Sequence, residues 1–157
     1  MTSNLGRGDA GLALQEQMIA LIRAFGLHQP DRTPCGQPVP VAEAHALLEL
    51  TREEPLSQTD LCLRLRLEKS TVSRLVGQLE GRGWIVRQRD GRAARLCLTD
   101  AGRTAAATLA AARQATFDRL LEAIPDTDRE PVIAALKTLV EALRGTQDNR
   151  PPDADDA

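Results

Sequence analysis

The chain predicts a mainly α protein that carries one small β-hairpin, and three observations lead there. Apolar residues recur at helical spacing in six stretches, separated by Pro, Gly or short polar turns. One stretch, Ala94–Thr99, alternates with a period of two and faces Trp84–Arg89 across Asp90-Gly91, a pair favoured in tight hairpin turns. Two of the helices are separated by only Arg66, Leu67 and Glu68, a spacing typical of a helix-turn-helix.

Residues 12–27 (LALQEQMIALIRAFGL) place Leu14, Met18, Leu21 and Phe25 along one stripe of a first helix. Residues 28–40 hold Pro30, Pro34, Gly36, Pro38 and Pro40 and read as a loop. A second helix, 41–52, opens directly after Pro40. Ser57, with Asp60 three residues on, has the spacing of a capping box and opens a third helix, 58–65. On the fourth, Val72, Leu75, Val76 and Leu79 share one face. Ser70, Ser73, Arg74, Gly77 and Gln78 fall opposite, a stripe of hydroxyls, guanidinium and amide without a carboxylate. Gly81 and Gly83 end that helix around Arg82. In the hairpin's return strand Leu96 and Leu98 alternate with Arg95, Cys97 and Thr99, which points Cys97 to solvent. From Thr99 a helix runs to Ile124, roughly 36 Å at its usual rise. That length overshoots a domain of this size, and its many alanines permit close helix approach, so it reads as part of a dimer interface. A last helix, 128–144, carries Val132, Leu136, Leu139, Val140 and Leu143 on one stripe. The acidic, proline-bearing residues 145–157 read as disordered.

A chain of 157 residues suits one domain. With no run of 18 apolar residues and no basic-then-apolar leader, a soluble, cytoplasmic protein without membrane contact is expected. Three cysteines without paired spacing make no disulfide framework, and neither C-x-x-C nor H-x-x-x-H occurs, so no metal and no cofactor is expected. Two histidines, scattered cysteines and no glycine-rich phosphate loop leave no catalytic constellation, and the expectation is a non-enzyme. Glu53 and Glu54, adjacent acids at a helix end, read as solvated charge. The net charge of −2 hides an asymmetry: residues 62–95 carry nine Lys/Arg against three Asp/Glu. Such a local basic block on an acidic chain suits contact with nucleic acid through one surface. Phe25, Phe117 and Trp84 are the whole aromatic inventory, which disfavours the base-stacking grip on single strands and leaves duplex DNA as the better partner.

With the helix order and hairpin in place, the chain resembles the MarR family of dimeric winged-helix transcription regulators over about residues 12–144. The most specific part is KSTVSRLVGQLEGRGWIV followed by DGRAARLCLT. The family's wing pattern is met by Asp90, Arg92, Leu96, Leu98 and Thr99. The resemblance implies that Arg92 enters a minor groove while Asp90 orients it, in keeping with the enhanced negative potential of a narrow A·T-rich groove. It also implies that Ser70, Thr71, Ser73 and Arg74 face the major groove, with Gln78 on the same stripe. Arg74 suits a bidentate contact to guanine, worth about 1–3 kcal/mol of discrimination. Ser57 and Gln58 would hold phosphate at the start of the third helix, and Arg95 would hold backbone beside the wing. Arg87 and Arg89 read either as further backbone contacts or as exposed strand residues. This chain departs from the pattern in a shorter stretch between Val86 and Asp90, in Arg66 where a turn glycine is common, in Glu68 as a weak N-cap, and in Gly77 within a helix.

The organisation expected is a flexible N-terminus (1–11), a dimerisation helix and loop (12–40), a winged helix-turn-helix DNA-binding region (41–99), dimerisation helices (100–144) and a disordered acidic tail (145–157). The function that follows is sequence-specific double-stranded DNA binding by a homodimeric repressor at a pseudo-palindromic operator, released by a small-molecule ligand. Arg23, His28 and His45 are candidates to line the ligand cleft, against the plainer reading of His45 as a hydrogen-bonded core histidine. Cys62 reads as an inert buried thiol. Cys97, beside Arg95 and the basic wing, supports a second reading as a thiol-based sensor. A third reading, favoured by the short wing and acidic ends, is a winged-helix protein-interaction module without DNA binding.

Overall fold

The computed structural model describes residues 6–91 and 93–148. In chain order they form α1 (Arg7–Phe25), α2 (Val41–Arg52), β1 (Leu56–Ser57), α3 (Gln58–Leu65), α4 (Lys69–Gly81), β2 (Ile85–Asp90), β3 (Ala93–Leu98), α5 (Asp100–Ala123) and α6 (Asp126–Asp148). The chain divides into two units, Met1–Gln114 and Ala115–Ala157, with the boundary inside α5.

In the first unit, α2, α3 and α4 pack on a three-stranded antiparallel sheet of order β1-β3-β2. Leu47 and Leu50 of α2, Leu61 of α3, Val72, Val76 and Leu79 of α4, and Leu56, Ile85 and Leu96 of the sheet are almost wholly buried. Ala106 and Leu109 of α5 join the same cluster. This is a winged helix-turn-helix, with β2 and β3 as the wing.

Local chemistry explains most of the joins. Ser57 caps α3: its hydroxyl accepts the Asp60 N–H, and the Asp60 side chain accepts the Ser57 N–H in return. The chain then turns into α4 through Arg66, which sits in the left-handed region at φ 54°, ψ 44°. An L-residue there costs roughly 1–2 kcal/mol. Glu68 begins α4 without a side-chain cap bond. At the far end of α4, the Arg82 side chain lies between Trp84, 5.0 Å from the ring centre, and Glu43 of α2, whose buried carboxylate is 2.6 Å from Arg82 Nε. Glu43 Oε2 has no aligned hydrogen bond, so Arg82 neutralises it mainly by charge.

Several boundaries and positions differ from expectation. Helix α1 reaches back to Arg7, so residues 7–11 are helical, while residues 1–5 lie outside the described residues. Helix α6 spans Asp126–Asp148, and the acidic residues from 149 onward lie outside the described residues. Strand β1 was not expected: it is only two residues long and owes its conformation to pairing with β3, Leu56 opposite Leu96 and Ser57 opposite Arg95. Thr99 leaves the hairpin and becomes the cap of α5, its hydroxyl accepting the Gly102 N–H at 3.0 Å and donating to Gly83 O at 2.6 Å. Cys97 is a correction: it is buried, not solvent-facing. It lies in the middle strand of the sheet, opposite Val86 of β2.

Helix α1 presents Leu12, Leu14, Ile19, Leu21 and Ile22 as exposed residues. In the second unit Phe117, Leu120, Leu121, Val132, Ile133, Leu136, Val140 and Leu143 are exposed as well. Among the described residues no helix is long and apolar enough to cross a membrane.

Candidate nucleic-acid interface

Helix α4 divides cleanly along its length. Val72, Leu75, Val76 and Leu79 are buried in the core. Ser70, Thr71, Ser73, Arg74, Gly77 and Gln78 are all exposed, so the polar stripe without a carboxylate lies on the solvent side. The nearest helical acid, Glu80, is turned to the wing, where it accepts two hydrogen bonds from Arg87 Nε at 3.0 and 3.1 Å. Arg52, Arg64, Arg82, Arg95 and Arg103 also lie within ion-pair distance of carboxylates, whereas among the described residues none takes up Arg74. A guanidinium held on a rigid helix without an internal partner is free to donate outward. No atom lies within 4 Å of where a Cβ on Gly77 would stand, so the fold itself does not require glycine there.

At the start of α3, Ser57 is committed within the chain, since its hydroxyl donates to Asp60 Oδ2 at 2.6 Å. Those Ser57 bonds, chiefly the one from the hydroxyl, hold the Asp60 carboxyl below the usual range against the opposing effect of desolvation, and Arg95 and Arg64 add to the lowering. Gln58, the first residue of α3, is half-buried. Arg95 stands opposite Ser57 in the sheet with its Nη1 3.8 Å from Asp60 Oδ2, which brings the start of α3 and the wing together. The hairpin register pairs Asp90 with Ala93, and Gly91 between them takes φ 61°, the left-handed geometry that a tight turn needs. Arg92 and the side chain of Asp90, the two wing residues singled out from sequence, lie outside the described residues.

The three ligand candidates do not converge. Arg23 and His28 share an open groove of about 420 Å³ with Ile19 and Ile22. His45 is elsewhere, exposed on α2, and its pKa is lowered by partial burial of the ring and by Arg113 of α5, with Glu49 opposing. A separate cavity of about 280 Å³ is lined by Gln37, Pro38, Val39, Arg82, Trp84, Ala105, Thr108 and Leu109. No pattern in the sequence joined those residues, which come from three distant segments. Among the described residues no group of three or more His, Cys, Asp or Glu is arranged to hold a metal ion. Burial of Cys97 removes the access that a thiol sensor needs.

Two structural residues at the root of the wing also escaped the sequence reading. A Cβ on Gly102 would fall 1.9 Å from Trp84 O, so the first turn of α5 can touch the wing only through glycine. Glu54 corrects the reading of Glu53 and Glu54 as solvated charge. Its Oε1 accepts the Leu98 N–H at 2.7 Å and its Oε2 accepts from Arg103 Nη1 at 2.5 Å, while Glu53 pairs with Arg64. The T-x-x-G spacing of Thr99 and Gly102 is a sequence signal that could have indicated the Gly102 contact.

Helix-turn-helix, wing and outward polar stripe together define a winged helix-turn-helix protein with the form of a transcription regulator. Comparison with known proteins narrows the class. A family model for the MarR family matches residues 37–96. A MarR family transcriptional regulator from Silicibacter pomeroyi is similar at 31% identity, with 85% of this chain and 89% of that one covered and a TM-score of 0.58. A probable transcriptional regulator from Pseudomonas aeruginosa shares the fold at 24% identity, TM-score 0.64, over 82% and 95% of the two chains. MepR, a transcription regulator of the Staphylococcus aureus multidrug efflux pump MepA, does so at 21% identity, TM-score 0.59, over 88% and 99%. No curated protein matches the sequence. The chain belongs to the MarR family of transcriptional regulators.

Proposed function

We propose that this protein is a homodimeric, cytoplasmic, sequence-specific double-stranded DNA-binding repressor that reads a pseudo-palindromic operator and is released by a small-molecule ligand. The observation that carries the DNA reading is the partition of α4: every apolar residue of its inner face is buried, and the outer face offers Ser70, Thr71, Ser73, Arg74 and Gln78 with no carboxylate. An α-helix of this kind fits the major groove, where Arg74 donates to guanine O6 and N7. Gln58 and Arg95 hold phosphate at the flank. Ser57 joins them only by exchanging its bond to Asp60 for one to phosphate. Arg92 reaches the minor groove with Asp90 beside it.

Exposed apolar residues on α1, and separately along one stripe of α6, support a homodimer, because large exposed apolar patches are rare on a stable monomer. Two copies related by a two-fold axis would place their α4 helices on successive half-sites about one turn of DNA apart. Ligand release is supported by the cavity under Arg82 and Trp84, where a bound molecule would alter the contact of α5 with the wing root. A ligand acts there only through different affinities for the bound and released shapes.

The test is binding of purified protein to a randomised duplex library at low salt, followed by titration against the selected sequence. Arg74→Ala should relax discrimination at one or two base positions, and Arg92→Ala should weaken binding broadly. Binding to no duplex, or unchanged binding in both variants, overturns the reading.

A further inference from the structure

We propose that Glu54 is the positioning residue that sets the angle of the wing for DNA binding, a role that rests on the DNA-binding function proposed above. Strand β1 covers only Leu96 and Arg95 of β3, so the sheet is open beside Leu98, the last residue of the wing. Glu54 closes that gap. Its Oε1 accepts the Leu98 N–H at 2.7 Å, in the place a longer β1 would have filled with a backbone carbonyl. Its Oε2 accepts from Arg103 Nη1 at 2.5 Å, and Arg103 Nη2 donates to Leu98 O at 3.2 Å. Both backbone polar groups of Leu98 are therefore held by one ion pair, which joins the loop after α2, the root of the wing and the first turn of α5.

The Glu54 side chain is 22% exposed and that of Arg103 55%, so the part-buried bond to the Leu98 N–H, and not the ion pair as such, carries the clamp. Its leverage comes from geometry. A six-residue strand spans about 20 Å, so a 10° tilt at the root moves the far end by roughly 3 Å, more than a hydrogen bond tolerates. Without the clamp, the energy of any wing contact to DNA would be spent first on orienting the wing. Helix α4 is anchored independently through its own buried face, so its contacts should not depend on Glu54.

That independence supplies the test. Affinity for the selected duplex is measured by fluorescence anisotropy in Glu54→Ala, Arg92→Ala, Arg74→Ala and the two double variants containing Glu54→Ala. Glu54→Ala should weaken binding about tenfold. In its background Arg92→Ala should cost no more than about twofold further, while Arg74→Ala keeps its full effect. Glu54→Gln, which retains an acceptor for Leu98, should recover most of the affinity. Amide exchange adds a readout without DNA: in Glu54→Ala the Leu98 amide should exchange at least tenfold faster while the Leu47 and Leu79 amides keep their protection. Undiminished loss from Arg92→Ala in the Glu54→Ala background, or an unchanged Leu98 amide, overturns the proposal while DNA binding stands. A wild-type protein that binds no duplex overturns the DNA reading and the positioning role with it, and the Leu98 amide still reports on the clamp itself.

Discussion

Helices α4 and α6 carry apolar residues at matching helical spacing, yet Val72, Leu75, Val76 and Leu79 of α4 are buried whereas Val132, Leu136, Val140 and Leu143 of α6 are exposed. An amphipathic pattern states that a face gains by leaving water; it does not say what covers it. For α4 the cover is within the chain, because α2 and the sheet close over it. The α6 face is exposed, and the second copy proposed above is an occupant that would cover it and also bring two α4 helices to one operator. One region is finished by its own sequence. On the proposal above, the other is finished by assembly.

The sharpest contrast between the regions lies in two glycines. Gly102, where α5 meets the wing, has Trp84 O 1.9 Å from the position of an added Cβ, and the obstacle is backbone. Gly102→Ala should therefore destabilise the protein by about 3 kcal/mol or more, read as a fall in the urea midpoint, since neither element can retreat without breaking the Thr99 bonds. Gly145 of α6 has nothing within 4 Å of that position. Gly145→Ala should be neutral or stabilising by up to about 1 kcal/mol. Equal losses at both sites would mean that the two regions do not differ in the way described.

The same contrast explains what was readable beforehand. Helix α2 was legible to the residue, because Pro40 and the Ala/Leu spacing are local signals. So were the Ser57–Asp60 capping box and the inner face of α4, whereas Asp90, expected in the turn, is the last residue of β2 and pairs with Ala93. Glu54 was not, because its partners are 44 and 49 residues away and nothing near it in the chain names them. Strand β1 was hidden for the same reason: two residues have no period, and only β3 makes them a strand. Cys97 was placed wrongly because alternation assigns a residue to a face of the sheet and does not tell whether that face is covered. Of the residues proposed to face DNA, Ser70, Ser73, Arg74 and Gln78 could be read from helical spacing, while Thr71 and Arg92 came from resemblance.

Replacing Leu136 by Asp tests the assembled region directly. Burying a leucine contributes about 1.5–3 kcal/mol, so its loss in an interface should weaken self-association at least tenfold, measured by sedimentation equilibrium. Leu75→Asp, at an equivalent place on α4, should instead unfold the chain. If Leu136→Asp sediments as the wild type does, the exposed face of α6 is not the contact between copies.

Smaller effects are expected at the helix-turn-helix, where the chain keeps two unfavourable backbone choices. Arg66→Gly removes the strain of a left-handed residue and should raise stability by about 0.5–1 kcal/mol, net of the greater freedom of glycine when unfolded. Gly77→Ala should add a similar amount by helix propensity, as the fold leaves the space open. The two gains should be separable from binding: Arg66 lies in the turn, whereas Gly77 lies on the outward stripe. If α4 lies against the floor of the groove, Gly77→Ala will weaken DNA binding while raising the melting temperature. If both variants melt higher and bind as before, the α4 backbone does not approach the DNA closely.

The mildest test uses pH and concerns His45 of α2, which Arg113 of α5 influences. Partial burial and Arg113 lower the His45 pKa below its ordinary value of 6.5 in the folded chain. The unfolded chain therefore takes up the proton first as pH falls, and between the two pKa values it binds more protons than the folded one. The stability associated with a neutral His45 is fully present above about 6.5 and is lost as pH drops through the lowered folded value. Denaturant midpoints measured from pH 7.5 to 5 should show this fall, and His45→Gln should flatten that part of the profile. Asp60 cannot imitate it, because its carboxyl is held below the usual range and titrates at more acid pH.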